Sequence, residues 1–361
     1  MNNFESLVSL NLIPWIGSVR LDRLLQYFGQ PQDIFKGSRS RLDAIVGSAI
    51  SQDITSFNTA DLDKDLAQAK KAGLEIITLF DQGYPRNLKQ ISGPPIVLYV
   101  SGKIADVDNF SLGIVGSRRA SFYGLSSSEK FAAELASAGL TIISGMARGV
   151  DTYAHRGALK VSGRTIAVMG SGFNHIYPSE NRGLAEKIAK SGAVVSEFPM
   201  DAKPLARNFP RRNRLISGLS LGVLVTEAAR NSGALITVDF ALEQGRDVFA
   251  LPGRIDTCSS MGTNEILKQG AKLVTRSEDI LEELNLGIFS RNNQIGPEPE
   301  ENILCAKEEE ILYNCISSKA AAMDELVEKT SLSSSQISGL VLKLQFKKLI
   351  KELPGKQFVR S

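Results

Sequence analysis

The 361-residue chain is long enough for two or three domains with a large core, and 43% hydrophobic against 22% charged residues places it with ordinary soluble proteins, not disordered ones. A net charge of +3 is too small to argue for nucleic acid by itself, so such a case must rest on clustering. The odd set Cys258, Cys305 and Cys315 lacks CxxC spacing and supports neither a disulfide framework nor a zinc site, which fits a reducing cytoplasm; MNNFESLVSLNLIPWIG shows no positive n-region and no long apolar run, so neither a signal peptide nor a membrane span is expected.

In chain order, residues 4–72 read as short helices. Phe4–Leu12 is followed by the turn Ile13-Pro14-Trp15-Ile16-Gly17 and by an amphipathic run, Val19, Leu21, Leu24, Leu25 and Phe28, closed by Gly29. This predicts a small domain over 1–74 of SAM or helix-hairpin-helix type, whose hairpin can offer backbone N–H groups to a phosphate. From Glu75 the pattern changes. Ile76–Leu79 and Ile96–Val100 are strand-like runs separated by Asp81-Gln82-Gly83-Tyr84-Pro85 and Gly93-Pro94-Pro95, so a larger domain is expected over 75–285.

Within it, Leu112–Val115 breaks at Gly116-Ser117-Arg118-Arg119, and a helical spacing then runs through Phe131, Leu135 and Leu140 with a stop at Gly139. Thr141–Ile143 breaks at Ser144-Gly145-Met146-Ala147-Arg148-Gly149, and Asp151 is expected to cap a helix over Thr152–Lys160. Further strands are expected at 164–169, ending in Gly170-Ser171-Gly172-Phe173, at 192–197, at Leu221–Thr226 and at Val248–Leu251 before Pro252-Gly253. Helices are expected after Tyr177-Pro178-Ser179-Glu180-Asn181-Arg182, as far as Lys190, and over Leu235–Glu243. Strands alternating with helices at this spacing predict a doubly wound, Rossmann-type parallel α/β sheet, whose ligands sit outside the carboxyl ends of the strands. Residues 286–302 lose periodicity and read as a linker; 303–361 show three helical runs and a hairpin at 351–359, the winged-helix plan. The third run starts with Ser333 and Gln336 in capping-box spacing and carries Ile337, Leu340, Leu344 and Leu349.

Catalytic chemistry has little to stand on. GxxxxGK[ST] and HExxH are absent, Gly170-x-Gly172 lacks its third glycine, and His155 and His175 share no motif with a nucleophile. No metal site, cofactor or catalytic residue is expected. The strongest charge signal is Ala202–Thr226, with Lys203, Arg207, Arg211, Arg212 and Arg214 and no acid, a formal +5 interleaved with Asn208, Phe209, Pro210 and Asn213. Arginines beside a stackable ring suit a single strand of nucleic acid, because every base has a π-face and every phosphate a charge.

These residues resemble one family. GIVGSRRASFYG, ISGMARGVDTYAHRGAL, GRTIAVMGSGFNHIYPSEN, SEFPM, NFPRRNRLISGLS, VTEAARNSGALITVDFALEQGRDVFALPG and GTNEILKQGAKLV, in order over about 76–276, are similar to the DNA-processing protein A family (DprA, also called Smf). The resemblance implies a non-enzymatic, cytoplasmic protein that binds and protects single-stranded DNA with little sequence preference. It implies a homodimer through the Rossmann-type domain, with exposed apolar residues near Leu235–Leu251, and delivery of the strand to the recombinase RecA in natural transformation or recombination. Carried over, the DNA pocket comprises Gly116, Ser117, Arg118, Ser144, Gly145, Gly149, Gly170, Gly172, Phe173, Asn213 and Arg214. Arg119, Arg148, Arg182, Arg207, Arg211 and Arg212 join it on charge alone. The same sheet resembles, more distantly, the lysine decarboxylase-like nucleotide phosphoribohydrolases. Their PGGxGTxxE loop is here Thr226-Glu227-Ala228-Ala229-Arg230-Asn231-Ser232-Gly233-Ala234-Leu235-Ile236-Thr237, without paired glycines and with Asp239 at the wrong spacing. In the tail, Lys343, Lys347, Lys348, Lys351, Lys356 and Arg360 outweigh Glu352 over 343–361, but Glu308–Glu310, Asp324, Glu325 and Glu328 offset most of that charge, so an accessory domain is expected.

Overall fold

The computed structural model describes residues 1–286 and, in the tail, 312, 313, 315, 321–330, 332, 336, 337, 339–341, 344, 350–353 and 357–360. The chain divides into two compact units, Met1–Arg291 and Asn292–Ser361. The expected linker at 286–302 lies, apart from Leu286, outside the described residues.

The first unit begins with α1 (Asn3–Leu12), α2 (Ser18–Phe28), α3 (Pro31–Ile34), α4 (Arg39–Val46), α5 (Ser48–Thr55) and α6 (Thr59–Lys71). A capping box between Asn2 and Glu5 starts α1. The apolar face of these helices, including Leu10, Leu21, Leu24 and Leu62, closes one core with Val97, Tyr99 and Met200 of the next layer. Asp65 pins that junction: it accepts from the Tyr99 hydroxyl at 2.7 Å and the Met200 N–H at 2.9 Å. Burial pushes its carboxyl above the usual range, against the pull of both hydrogen bonds.

The sheet comprises β1 (Glu75–Thr78), β2 (Val97–Gly102), β3 (Ser111–Val115), β4 (Thr141–Ser144), β5 (Thr165–Val168), β6 (Ala193–Ser196), β7 (Gly222–Val225), β8 (Asp247–Ala250) and β9 (Lys272–Leu273), in the order β1-β2-β6-β5-β4-β3-β7-β8-β9. From β6 to β9 every pairing is parallel. The expected parallel sheet is thus present, and the two strands before residue 103 add an antiparallel edge to it: β1 pairs β2, and β2 pairs β6, antiparallel. The connection between them holds only the single-turn helix of Arg86–Lys89 and returns the chain antiparallel, so they extend the edge of the sheet at β6.

Helices α8 (Phe122–Ser137), α9 (Val150–Lys160), α10 (Arg182–Ser191) and α14 (Glu278–Glu283) cover one face, packing on residues such as Ile114, Ile142, Ala167 and Phe249. The other face carries α7 (Arg86–Lys89), α11 (Asn208–Leu219), α12 (Leu235–Glu243) and α13 (Met261–Lys268) over Val115, Ile143, Val168 and Val223. One local expectation is corrected, and one helix appears where none was expected. Helix α9 begins at Val150 with Gly149 (φ +75°) as its cap, because the tight approach of that loop to Ser117 leaves no room for a side chain; Asp151 lies inside the first turn. The basic stretch, for which no helix was expected, contains α11, whose Pro210 sits in the first turn, where its missing N–H costs nothing, and whose Leu215, Ile216 and Leu219 are buried.

In the second unit, β10 (Ala321–Ala322), α15 (Met323–Thr330), β11 (Ile350–Leu353) and β12 (Gln357–Arg360) form a helix and a three-stranded antiparallel sheet, with the expected hairpin pairing Lys351 opposite Val359. Ile337, Leu340 and Leu344 share its core with Leu326 and Phe358. Ser333, Leu349, Lys343, Lys347, Lys348, Lys356 and Glu308–Glu310 lie outside the described residues.

Candidate nucleic-acid interface

The strand order reverses at β3, which runs toward β4 on one side and receives β7 on the other, so the loops after these strands part above the sheet. Their bases are tied: Ser117 N–H donates to the Glu227 carbonyl at 2.7 Å, and the Glu227 carboxylate, itself buried, accepts from the N–H of Ser121 at 3.0 Å and from its hydroxyl. Above this floor opens a cleft of about 740 Å³, walled by the Gly116–Arg119 loop, the first turns of α11 and the Ser232–Gly233 turn.

At the cleft mouth the Arg118 guanidinium lies 5.0 Å over the Phe209 ring, and Tyr177 meets the same ring at 5.7 Å and 52°. Among the described residues Arg118 and Arg119 form no salt bridge, so their charge faces solvent. The floor is different. Arg212 is 3% exposed and donates to the carbonyls of Gly145 and Val168 and, at 3.2 Å, to Asn213 Oδ1. Asn213 in turn donates to the Gly233 carbonyl at 3.1 Å. Burial pushes Arg212 down to about 10, opposed by the nearby Asp151 carboxylate. Burial likewise raises Asp151, although Arg212, the Ala147 N–H and Arg118 all favour its charged form. Beneath them His155 shares a 2.7 Å hydrogen bond with Thr165, and burial together with Arg212 lowers it to about 3.

Of the expected site residues, Gly116, Ser117, Arg118, Arg119, Arg212 and Asn213 come together on this cleft. Gly145 and Arg148 flank an adjoining recess of about 210 Å³ that shares Arg118, Tyr177 and Phe209; Arg148 is paired there with Glu180 at 2.5 Å. Ser144 is buried, its hydroxyl donating to the Ile114 carbonyl at 2.7 Å. Gly149, Gly170 and Gly172 stand where a Cβ would strike the Ser117 carbonyl, the Phe209 ring and the carbonyls of Pro199 and Met200 respectively, so each has a packing reason to be glycine. Phe173 packs against the core of the N-terminal helices and the layer under α10, and does not line the cleft. Arg182 and Arg207 are exposed and do not line it.

Arg211 and Arg214 point to another side of α11, where both donate to one oxygen of the buried Glu197, at 3.1 and 2.5 Å. The arginines of the +5 segment are therefore largely partnered, contrary to the expectation that they lack acids. The fold brings Glu197 to them from outside the segment, and it buries Arg212 among carbonyls. Sequence reading missed Tyr177, whose only signal was an aromatic beside Pro178 after a strand-end loop, and it missed Asp151 and Glu197 as electrostatic partners. In the loop compared with the phosphoribohydrolases, Ser232 and Gly233 do line the cleft, whereas the Glu227 carboxylate is occupied by Ser121 and Asp239 is exposed on α12.

Residues 75–285 match the model of the DNA recombination-mediator protein A family, and residues 296–356 that of the DprA winged helix domain. The chain is 39% identical to Protein Smf of Escherichia coli over 88% of its own length and 87% of that relative. It is 41% identical to the DNA processing protein DprA of Bacillus subtilis over 67% of its own length and 82% of that protein. Among solved structures, DprA of Streptococcus pneumoniae superposes with a TM-score of 0.69 at 34% identity, over 78% of this chain and 99% of that one. The Helicobacter pylori protein, described for its single-stranded DNA binding mode, gives 0.53 at 31% identity, over 59% of this chain and 96% of that one. With a Rossmann-type sheet preceded by a small helical layer, a winged-helix domain after it and matches of this extent, the chain belongs to the DNA-processing protein A (DprA/Smf) family.

Proposed function

We propose that this protein binds single-stranded DNA with little sequence preference and acts without catalysis in recombination, protecting the strand and delivering it to the recombinase RecA during natural transformation or recombination. The observation that carries this reading is the Arg118–Phe209–Tyr177 stack at the mouth of the cleft. It places an exposed cation, free of salt bridges among the described residues, on an aromatic platform, the pairing that phosphates and unstacked bases need. A duplex keeps its bases stacked on each other and offers this ring only its backbone. The named activity of the Helicobacter pylori relative supports the ligand.

In this reading residues 75–285 hold the site, 1–74 form the helical domain beside it, and 303–361 follow the linker at 286–302 as an accessory winged-helix domain. A homodimer through the Rossmann-type domain is supported by Leu242 of α12, which is 63% exposed within the 235–251 stretch. Residence in the cytoplasm fits the odd cysteine count, with Cys258 and Cys315 free. No helix among the described residues is long and apolar enough to cross a membrane.

The test is fluorescence anisotropy with labelled oligothymidine, competed by blunt duplex at two salt concentrations. The single strand should compete far better than the duplex, and its affinity should fall as salt rises, since counterions return to the phosphates. Equal affinities refute the reading. Release of free base from nucleoside monophosphates would favour the hydrolase instead. Faster RecA nucleation on oligothymidine in the presence of the protein checks the delivery step.

A further inference from the structure

A second cleft, of about 540 Å³, opens beside α11 between the Ile13–Gly17 hairpin and the Gly93-Pro94-Pro95 loop. Arg20, Arg23, Arg211 and Arg214 line it against a single carboxylate, Glu197. Because Arg211 and Arg214 share one oxygen of Glu197, that trio keeps a net positive charge. The cleft also receives the N-terminus of the eleven-residue helix α2, whose cap, Gly17, has no side chain to satisfy it. The first backbone bond into the helix is Leu21 N–H to the Gly17 carbonyl, so the N–H groups of Ser18, Val19 and Arg20 lack intrahelical acceptors.

Two further polar atoms of the lining are incomplete. Ser18 Oγ is in a residue only 3% exposed and has no partner, and neither has Glu197 Oε1. At the rim stands Trp15, the only tryptophan of the chain, 71% exposed and held at φ +67°. Its carbonyl accepts from the Arg20 guanidinium, so the turn that presents the indole is braced by one of the cleft's own cations.

We propose that this cleft is a second seat for the strand bound in the first: a backbone phosphate sits at the α2 N-terminus, taking the Ser18 hydroxyl and the free N–H groups as donors and Arg23 as countercharge, and a base stacks on Trp15. Uncapped helix N–H groups and a positive helix end together suit a phosphate. Helix α11 contributes to both clefts, Phe209 to one and Arg211 to the other, so a strand running over it can occupy both. The inference rests on the single-strand reading of the first cleft and assigns the N-terminal helices a direct part in binding.

Trp15 is a built-in reporter. The experiment follows its fluorescence and the anisotropy of labelled oligothymidines, from about 4 to about 30 nucleotides, a span around the site sizes of single-strand binders. The proteins are the full chain, Val19→Glu and Arg23→Gln. Val19 is 54% exposed near the helix start, where a carboxylate suits the dipole and preserves the fold while repelling phosphate. Long oligothymidines should quench Trp15, the shortest should bind without quenching, and each variant should weaken the long ones by about fivefold or more, as expected for a lost helix-terminus contact, while leaving the shortest unchanged. Tight binding with a silent Trp15, or variants that bind long strands like the wild type, overturns the second seat and leaves the first intact. Failure of every oligothymidine to bind overturns both.

Discussion

Arg212→Met separates a cation that contacts DNA from one that holds the cleft floor together. Arg212 is 3% exposed, donates to two backbone carbonyls and faces the buried Asp151. Methionine keeps much of the volume but removes every donor. Each carbonyl loses a bond worth about 1 kcal/mol net. Removing one partner of a buried charge pair costs about 3–5 kcal/mol, because the other charge stays behind. The terms overlap, so a loss of about 4 kcal/mol at neutral pH is expected, a large part of the roughly 5–15 kcal/mol that a protein has. Without Arg212 the Asp151 pKa, already raised by burial, rises further. The penalty is therefore full above that pKa and shrinks as pH falls through it and the carboxyl takes up a proton. Urea unfolding followed by circular dichroism measures the change, and Arg212→Met with Asp151→Asn should recover about half of it, since an amide leaves no charge uncompensated. A single-variant loss under about 1 kcal/mol, or a double variant no more stable than the single one, refutes the reasoning.

Five further outcomes are expected. Phe209→Ala, which removes the ring under Arg118 and beside Tyr177, should weaken oligothymidine binding by about 1–3 kcal/mol, the usual value of base–aromatic stacking, in an anisotropy titration. Arg118→Ala should impair the same titration more than Lys347→Ala, and deletion of residues 290–361 should change it by less than about tenfold, roughly 1.4 kcal/mol, if the tail is accessory. His155, lowered to about 3 in the fold from 6.5, stabilises the protein fully above pH 6.5 and loses that contribution as pH falls toward 3, by roughly 1.4 kcal/mol per unit; His155→Gln should flatten this slope in urea titrations at successive pH values. Asp65→Ala, which strips the Met200 N–H and the Tyr99 hydroxyl of their acceptor, should cost about 2–4 kcal/mol and raise hydrogen exchange in the N-terminal helices first.

Strand and helix periodicity, the Gly/Arg loops and the family resemblance were legible in the amino-acid order, because β3 to β8 are short apolar runs bounded by glycine and polar turns, and their fate depends mainly on neighbours in sequence. The direction of β1 and β2 was not, since a short apolar run reads the same whether it pairs parallel or antiparallel; only the open edge of β6 decides. Pro210 hid α11, because proline ends helices as readily as it begins them. The charges divide in the same way. Sequence alone established that Arg207, Arg211, Arg212 and Arg214 cluster, but clustering does not say which way a guanidinium points. One turn of α11 sends Arg212 under the cleft among carbonyls, while Arg211 and Arg214 turn aside to a buried Glu197. The exposed charge falls to Arg118 and Arg119, and the aromatic rings beside Arg118 at the cleft are Phe209 and Tyr177, while Phe173 packs against the core. Burial and partnership are properties of three-dimensional neighbours, so the tertiary structure alone decides which arginines remain free to meet a phosphate.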